Sequence, residues 1–240
     1  MTPKVELLHR SDDRYGSFVT AGMRFDANLD RGRAKDPVAG EHQENLRILE
    51  VATLDWMSKC EDILIDSVLL SPSETTIWGG PQFYELDFIS GTLTSPVLFG
   101  ELKHSISATR ALKAARKQLR KRMTLGASRW PGLAGMAICF EMSWEASTLS
   151  GVSRSLLRLE EICEALTAHP NQNEMISLAG DGSELLERLV SDGILDSSFP
   201  ERISDSFRLM MNPLNSVGRS SPGFSLGDAF SRLDGEARTE

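Results

Sequence analysis

The chain is poor in cysteine. Its 240 residues hold three, Cys60, Cys139 and Cys163, far apart and without a CxxC pair. That argues against a disulfide framework or a zinc site and predicts buried thiols in a reducing, cytoplasmic setting. No apolar run approaches the roughly 18–20 residues that a membrane helix needs. The opening residues, MTPKVELLHRSDD, lack the apolar stretch of a signal peptide, so export is not expected. The patterns GxxxxGK[ST], strand-linked GxGxxG, HExxH and GxSxG are all missing. Their absence sets aside P-loop, dinucleotide-binding, zincin and α/β-hydrolase chemistry.

What remains is a globular composition of a size that suits one domain with extensions. The net charge of −8 argues against a general nucleic-acid coat protein. The charge is uneven, however. From Lys103 to Trp130 there are nine Lys and Arg residues and no Asp or Glu. One concentrated basic element on an acidic protein can still present a phosphate-binding face.

Periodicity places the elements. Residues 1–36 are polar and weakly periodic, and read as an irregular arm with a short strand near Gly16–Met23. A helix begins after Pro37, with Leu46, Leu49, Ala52 or Thr53, and Trp56 on one face. Asp62–Leu70, Phe83–Ser90 and Pro96–His104 read as three strands. Ser107, a candidate N-cap, opens a helix that runs to about Leu125, with Gly126 past its end. Ala134–Glu141 is almost wholly apolar and reads as a central strand. A helix over Ser153–His169, a strand over Glu174–Ala179, and helices over Ser183–Val190 and Glu201–Met211 follow. The division is a core domain over 37–180 and a helical extension over 181–240 with a mobile tail. Helix, three strands, helix, strand, helix gives a three-layer α/β domain with a mixed central sheet.

The hairpin FYELDFISGTLTSPVLFGELKHS carries charges where strands are usually apolar. Along the second strand Glu101 and Lys103 share a face with Val97 and Phe99. Glu85 and Asp87 share a face on the first. Pairing of the two strands brings Asp87 toward Glu101. Two carboxylates there repel, and a divalent cation removes the repulsion. A lysine beside them can orient water and stabilise charge on a phosphate. The bland alternative for Glu101 and Lys103 is a same-face ion pair on a solvated sheet. Glu85 divides between a supporting role at the site and a plain salt bridge.

Asp87, thirteen intervening residues, then Glu101-Leu102-Lys103 resembles the D…(D/E)xK signature of the PD-(D/E)xK nuclease superfamily. The resemblance spans about Gly40 to Glu141, and the αβββαβ order is similar to that family's restriction-endonuclease-like core. The first motif reads Leu86-Asp87 rather than Pro-Asp. The resemblance implies that Asp87, Glu101 and the main chain at Leu102 hold Mg²⁺ or Mn²⁺, with Lys103 catalytic. It also carries over Glu44 from Gly40-xxx-Glu44 on the first helix as an accessory metal or water group. Gln118, on the helix after the motif strand, falls where many members place a glutamine or lysine. The implied activity is hydrolysis of phosphodiesters, with DNA favoured over RNA, and Lys113, Arg116, Lys117, Arg120 and Lys121 gripping the backbone. A protein partner that supplies targeting, or a homodimer, fits the lack of a recognisable recognition domain. Two other readings stay open: a catalytically silent subunit that binds nucleic acid or protein, and an α/β interaction protein with a chance motif.

Of the histidines, His104 points away from Lys103 and reads as structural, and His42 as solvated. Trp130 and Trp144 read as packing residues.

Overall fold

The structure is a computed structural model that describes residues 5–20, 37–75, 81–142 and 156–211. The expected mobile tail, Trp144 and the start of the helix expected at Ser153 lie outside these residues.

The elements are β1 (Glu6–His9), α1 (Pro37–Cys60), β2 (Ile63–Leu64), β3 (Ser67–Thr75), β4 (Pro81–Leu86), β5 (Phe88–Gly91), β6 (Pro96–Ser105), α2 (Ala108–Ala127), β7 (Ala134–Glu141), α3 (Leu159–Ala168), β8 (Met175–Asp181), α4 (Gly182–Ser191) and α5 (Phe199–Met211). Five strands form a mixed sheet in the order β2-β5-β6-β7-β8. The pairs β2–β5 and β5–β6 are antiparallel, while β6–β7 and β7–β8 are parallel. A second, antiparallel sheet has the order β1-β3-β4.

Helices cover both faces of the five-stranded sheet. On one face α1, α3, α4 and α5 pack Leu49, Met57, Ile162, Leu185 and Phe199 against Leu98, Leu102, Ile138 and Phe140. On the other, α2 lays Ala108, Leu112, Ala115 and Leu119 over Phe99, Ala137 and Cys139. The spacing of the α2 residues is the i, i+4, i+7, i+11 stripe of an amphipathic helix. β7 is buried along seven of its eight residues, as a strand covered on both faces must be. Leu69, Leu86 and Ile89 join the α2 side, so the small sheet extends that layer.

Several expectations are corrected. The N-terminal arm is not irregular throughout, because β1 pairs with β3, and residues 15–20 form a helical turn where a strand was expected. The strand expected over Asp62–Leu70 is two strands in different sheets, broken at Ile65 and Asp66. Asp66 has φ 54°, a left-handed conformation that aspartate tolerates better than most residues. The strand expected over Phe83–Ser90 is likewise two, broken at Asp87. Ser71-Pro72 does not end β3 but coincides with a register shift between Ser71 and Thr75, as proline forces in a ladder. Gly126 lies inside α2, buried against Phe99 and Leu133. Ser107 occupies the N-cap position without a side-chain cap. Instead the Glu141 carboxylate accepts from the Ala108 amide at 2.8 Å. Residues 156–158 precede α3 and are not helical, and Leu157 bridges to Gly180.

The cysteine expectation is also overturned. Cys60 at the end of α1 and Cys163 on α3 are joined in a disulfide with Cα atoms 5.5 Å apart. Only Cys139 is a free, buried thiol, and burial pushes it up to about 12. No described helix is long and apolar enough to cross a membrane.

Candidate active site

The two sheets exchange strands at adjacent points. β2 passes into β3 at Ile65–Asp66, and β4 passes into β5 at Asp87. The last β5–β6 partner on this side is Phe88↔Gly100, so β6 beyond Gly100 is paired only with β7. Its other flank is left for side chains. Gly100 itself is required, because a Cβ there would overlap the Phe88 ring.

Asp87 fills that flank. Its Oδ2 accepts from the Leu102 amide at 2.6 Å, replacing the strand carbonyl that has turned away. In an extended strand a residue's N–H and C=O point to the same side, so the Leu102 carbonyl faces this flank too. Asp87 is a nearly buried side chain, 8% exposed.

Glu101 and Lys103 project from β6 toward α2, as alternation requires. Glu101 is 1% exposed. Lys103 Nζ lies 2.6 Å from Glu101 Oε1 and 3.8 Å from Asp87 Oδ2. Arg122 of α2 bonds the other Glu101 oxygen, Oε2. A carboxylate buried this deeply needs such partners, and deleting one typically costs about 3–5 kcal/mol.

The structure therefore brings Asp87, Glu101 and Lys103 together, and does not bring Glu44 or Gln118 to them. Glu44 is exposed on the first turns of α1 and pairs with Arg47 at 3.1 Å, which lowers its carboxyl. Gly40 meets nothing within 4 Å, so no close packing calls for glycine in the Gly40-xxx-Glu44 pattern. Gln118 is exposed on α2.

Two charged residues that the sequence reading passed over act on this cluster: Glu50 feels the charges of Asp87 and Lys103, and Arg122 bonds Glu101. Glu50, six residues beyond Glu44, lies roughly 9 Å further along α1 and about 240° around it. Its carboxyl is pushed up to about 7, first by burial and then by the negative charge of Asp87, with Lys103 opposing. Glu85 feels the same surroundings. Although the residue is exposed, crowding by protein and then the charge of Asp87 raise it, against Arg122 and Lys103. Arg122 is the second, with its side chain 12% exposed. Both had a signal. Glu50 interrupts the α1 stripe Leu46, Thr53, Met57, and Arg122 continues the α2 stripe Ala115, Leu119, Gly126.

His104, on the opposite face of β6, accepts or donates at 3.0 Å with Thr53 Oγ1 of α1 and stacks on Phe140. Burial, and then the Lys103 charge, drive it down to about 3, so it is a neutral structural residue, as its strand position implied. His42 is not simply solvated: Nδ1 lies 3.0 Å from Ser206 Oγ and the ring meets Phe207 edge-on, tying α1 to α5. Trp130 is core, donating to the Thr94 carbonyl at 2.9 Å.

The exposed face of α2 carries Lys113, Lys117, Arg120 and Lys121, with Arg116 half-buried. None of these five forms an ion pair among the described residues, and Lys121 lies 4.9 Å from the Tyr84 ring centroid. Rows of like charge at i, i+4 repel.

The donor set at the site is hard oxygen, which suits Mg²⁺ or Mn²⁺ rather than zinc. Among the described residues no three His, Cys, Asp or Glu side chains form a ready-made cage. Mg²⁺ needs only one or two carboxylates, completed by water and phosphate oxygens. The carboxyls of Glu50 and Glu85 are raised chiefly by burial, and next by the negative charge of Asp87.

Comparison with family models, with curated proteins and with solved structures returned no match. The reading of the site rests on its own chemistry.

Proposed function

We propose that this chain is a metal-dependent nuclease of the PD-(D/E)xK type with a restriction-endonuclease-like core, hydrolysing phosphodiester bonds of DNA. The observation that carries the reading is the convergence of Asp87, Glu101 and Lys103 where β4 leaves the flank of β6. The strand order around this point and the basic face of α2 support it. Asp87 and Glu101, with the Leu102 carbonyl, would hold Mg²⁺ or Mn²⁺. When bound, such an ion supplies positive charge against a phosphate oxygen.

The chain's own residues do the rest. Lys103 orients the attacking water and faces the charge that grows on the phosphate. Glu50 replaces Glu44 as the α1 carboxylate of the site. Arg122, rather than Gln118, is the α2 residue that supports the motif, by holding Glu101. Lys113, Arg116, Lys117, Arg120 and Lys121 contact the sugar-phosphate backbone, which positions a substrate without reading sequence.

The second reading is a catalytically silent nucleic-acid-binding subunit. It is favoured by the bonding of Glu101 to two cations, which leaves that carboxylate satisfied without a metal.

The test is cleavage of linear, supercoiled, single-stranded and branched DNA, and of RNA, with Mg²⁺, Mn²⁺ or EDTA. Wild type is compared with Asp87→Ala and Lys103→Ala. Metal-dependent cutting lost in both variants supports the nuclease. DNA binding without cutting on any substrate supports the silent subunit.

A further inference from the structure

A groove of about 230 Å³ opens between α4 and α5, on the face of the sheet opposite α2. Met142, just past β7, forms its floor with Leu186 of α4 and with Pro200, Ile203 and Phe207 of α5. On α5 these are positions i, i+3 and i+7, one face of a helix. Glu187 is the one charged residue of the lining among the described residues. Two helices with an apolar floor between them make the kind of groove that a third, amphipathic helix completes. An apolar cavity of about 150 Å³ already holds a benzene ring, so this one has room for a phenylalanine side chain.

The sequence beyond α5 carries a matching pattern. It reads SLGDAFSRLDG over residues 225–235, after Pro222-Gly223. Leu226, Phe230 and Leu233 recur at i, i+4 and i+7, the spacing of an apolar helical stripe. Ser225 with Asp228 three residues on is a capping-box pattern, and Gly235 stands where a helix stops. A helix this short is marginal alone in water, so its apolar stripe calls for a surface to fold against.

Reach and tethering favour this occupant over a separate molecule. Helix α5 ends at Met211, one turn past Phe207 of the groove. Residues 212–225 can extend over roughly 45 Å, whereas the α5 wall of the groove, residues 200–207, is only about 10 Å long. The chain can therefore turn back along α5 with slack. A tether of this kind gives an effective concentration of millimolar order, which an untethered partner would have to match. Arg232, the only basic residue over residues 220–237, supplies a cation for Glu187 at the rim. From this we propose that residues 225–233 of the same chain dock in the α4–α5 groove as a short helix, with Phe230 seated against Met142, Ile203 and Phe207. The proposal is independent of the nuclease reading.

The experiment follows trypsin cleavage after Arg232 in the full chain by mass spectrometry, against a synthetic peptide of residues 222–236. Wild type is compared with Phe230→Ala, which removes the anchor, and with Ser204→Trp, which fills the groove from its rim. Circular dichroism confirms folding. Wild type is expected to be cut about tenfold more slowly than the peptide, and both variants at nearly the peptide's rate, because cleavage tracks the undocked population. Cleavage of wild type as fast as the peptide overturns the proposal and leaves the groove to a separate partner. Protection that grows with protein concentration also overturns it, in favour of a second copy of the chain. Protection that survives Ser204→Trp places the segment elsewhere and overturns it too. Should Ser204→Trp not fold, nuclear Overhauser contacts between the Phe230 ring and the Met142 and Ile203 methyl groups of wild type decide, and their absence overturns the proposal.

Discussion

The Asp87 carboxylate accepts a hydrogen bond from the Leu102 amide across 15 residues of sequence. A side chain thus stands in for a missing strand at the edge of β6, and one residue carries both a structural and a proposed catalytic duty. The two can be separated. Asp87→Asn keeps an acceptor for Leu102, whereas Asp87→Ala strands a buried N–H at a cost of about 1–3 kcal/mol. Thermal or urea unfolding should rank the alanine variant clearly below the asparagine variant. Cleavage should be lost in both, because neither offers a carboxylate.

Glu50 makes the folded state sensitive to base. Its carboxyl sits near 4.5 in the unfolded chain and is pushed up to about 7 in the fold. The native protein therefore keeps a proton that the unfolded chain has released. Stability from this group is full below 4.5 and falls as pH rises through 7, by of order 2–3 kcal/mol. Glu50→Gln should remove that slope and be more stable than wild type at about pH 8, while matching it at about pH 4. Equal stability of the two proteins at both pH values would contradict the assignment.

His104 acts in the opposite sense. It is lowered from 6.5 to about 3, so the unfolded chain takes up a proton that the native protein refuses. Its contribution is complete above 6.5 and is lost as pH falls toward 3, by several kcal/mol. His104→Gln should flatten the acid limb of a stability–pH curve, and its unfolding midpoint should change less than wild type between about pH 7 and about pH 4.

Gly100 is predicted to be intolerant of any side chain. A methyl group there would press into Phe88, itself fully buried. Gly100→Ala should lose about 2–3 kcal/mol from overpacking, read as a lower unfolding midpoint in urea. It should also weaken the site, because the Phe88↔Gly100 pair is the last before β6 opens to Asp87.

The face of α2 should dominate substrate affinity. Replacing Lys113, Lys117 and Arg120 with glutamate should abolish DNA binding at moderate salt. For wild type, log affinity should fall linearly with log salt, with a slope near −0.9 for each phosphate neutralised. A salt-independent affinity would remove α2 from the interface.

Much of this architecture was legible in the sequence, for physical reasons that differ by element. β7 was read with its observed bounds because eight consecutive apolar-rich residues admit little else. The α1 and α2 helices declared themselves by their stripes, and alternation put Glu101 and Lys103 on one face. The breaks at Ile65–Asp66 and at Asp87 were hidden, because a strand that changes sheets keeps its alternation on either side. Glu50 and Arg122 were missed for a related reason. A short motif with fixed spacing drew attention to Glu44 and Gln118, while the helical stripe that the apolar residues define already placed Glu50 and Arg122 toward the sheet. The disulfide was illegible because Cys60 and Cys163 are 103 residues apart and meet only once α1 and α3 are folded on the same face.

That cross-link turns part of the chain into a covalent ring. Asp87, Glu101, Lys103 and Arg122 all lie within the ring, and Glu50 lies on the helix that closes it. A single peptide cut anywhere between Cys60 and Cys163 would leave two fragments still attached, migrating as one species until a reductant is added. In the unfolded chain a closed loop of this length removes configurational freedom equivalent to about 4–5 kcal/mol. The endurance of the molecule is thereby tied to the redox potential of its surroundings.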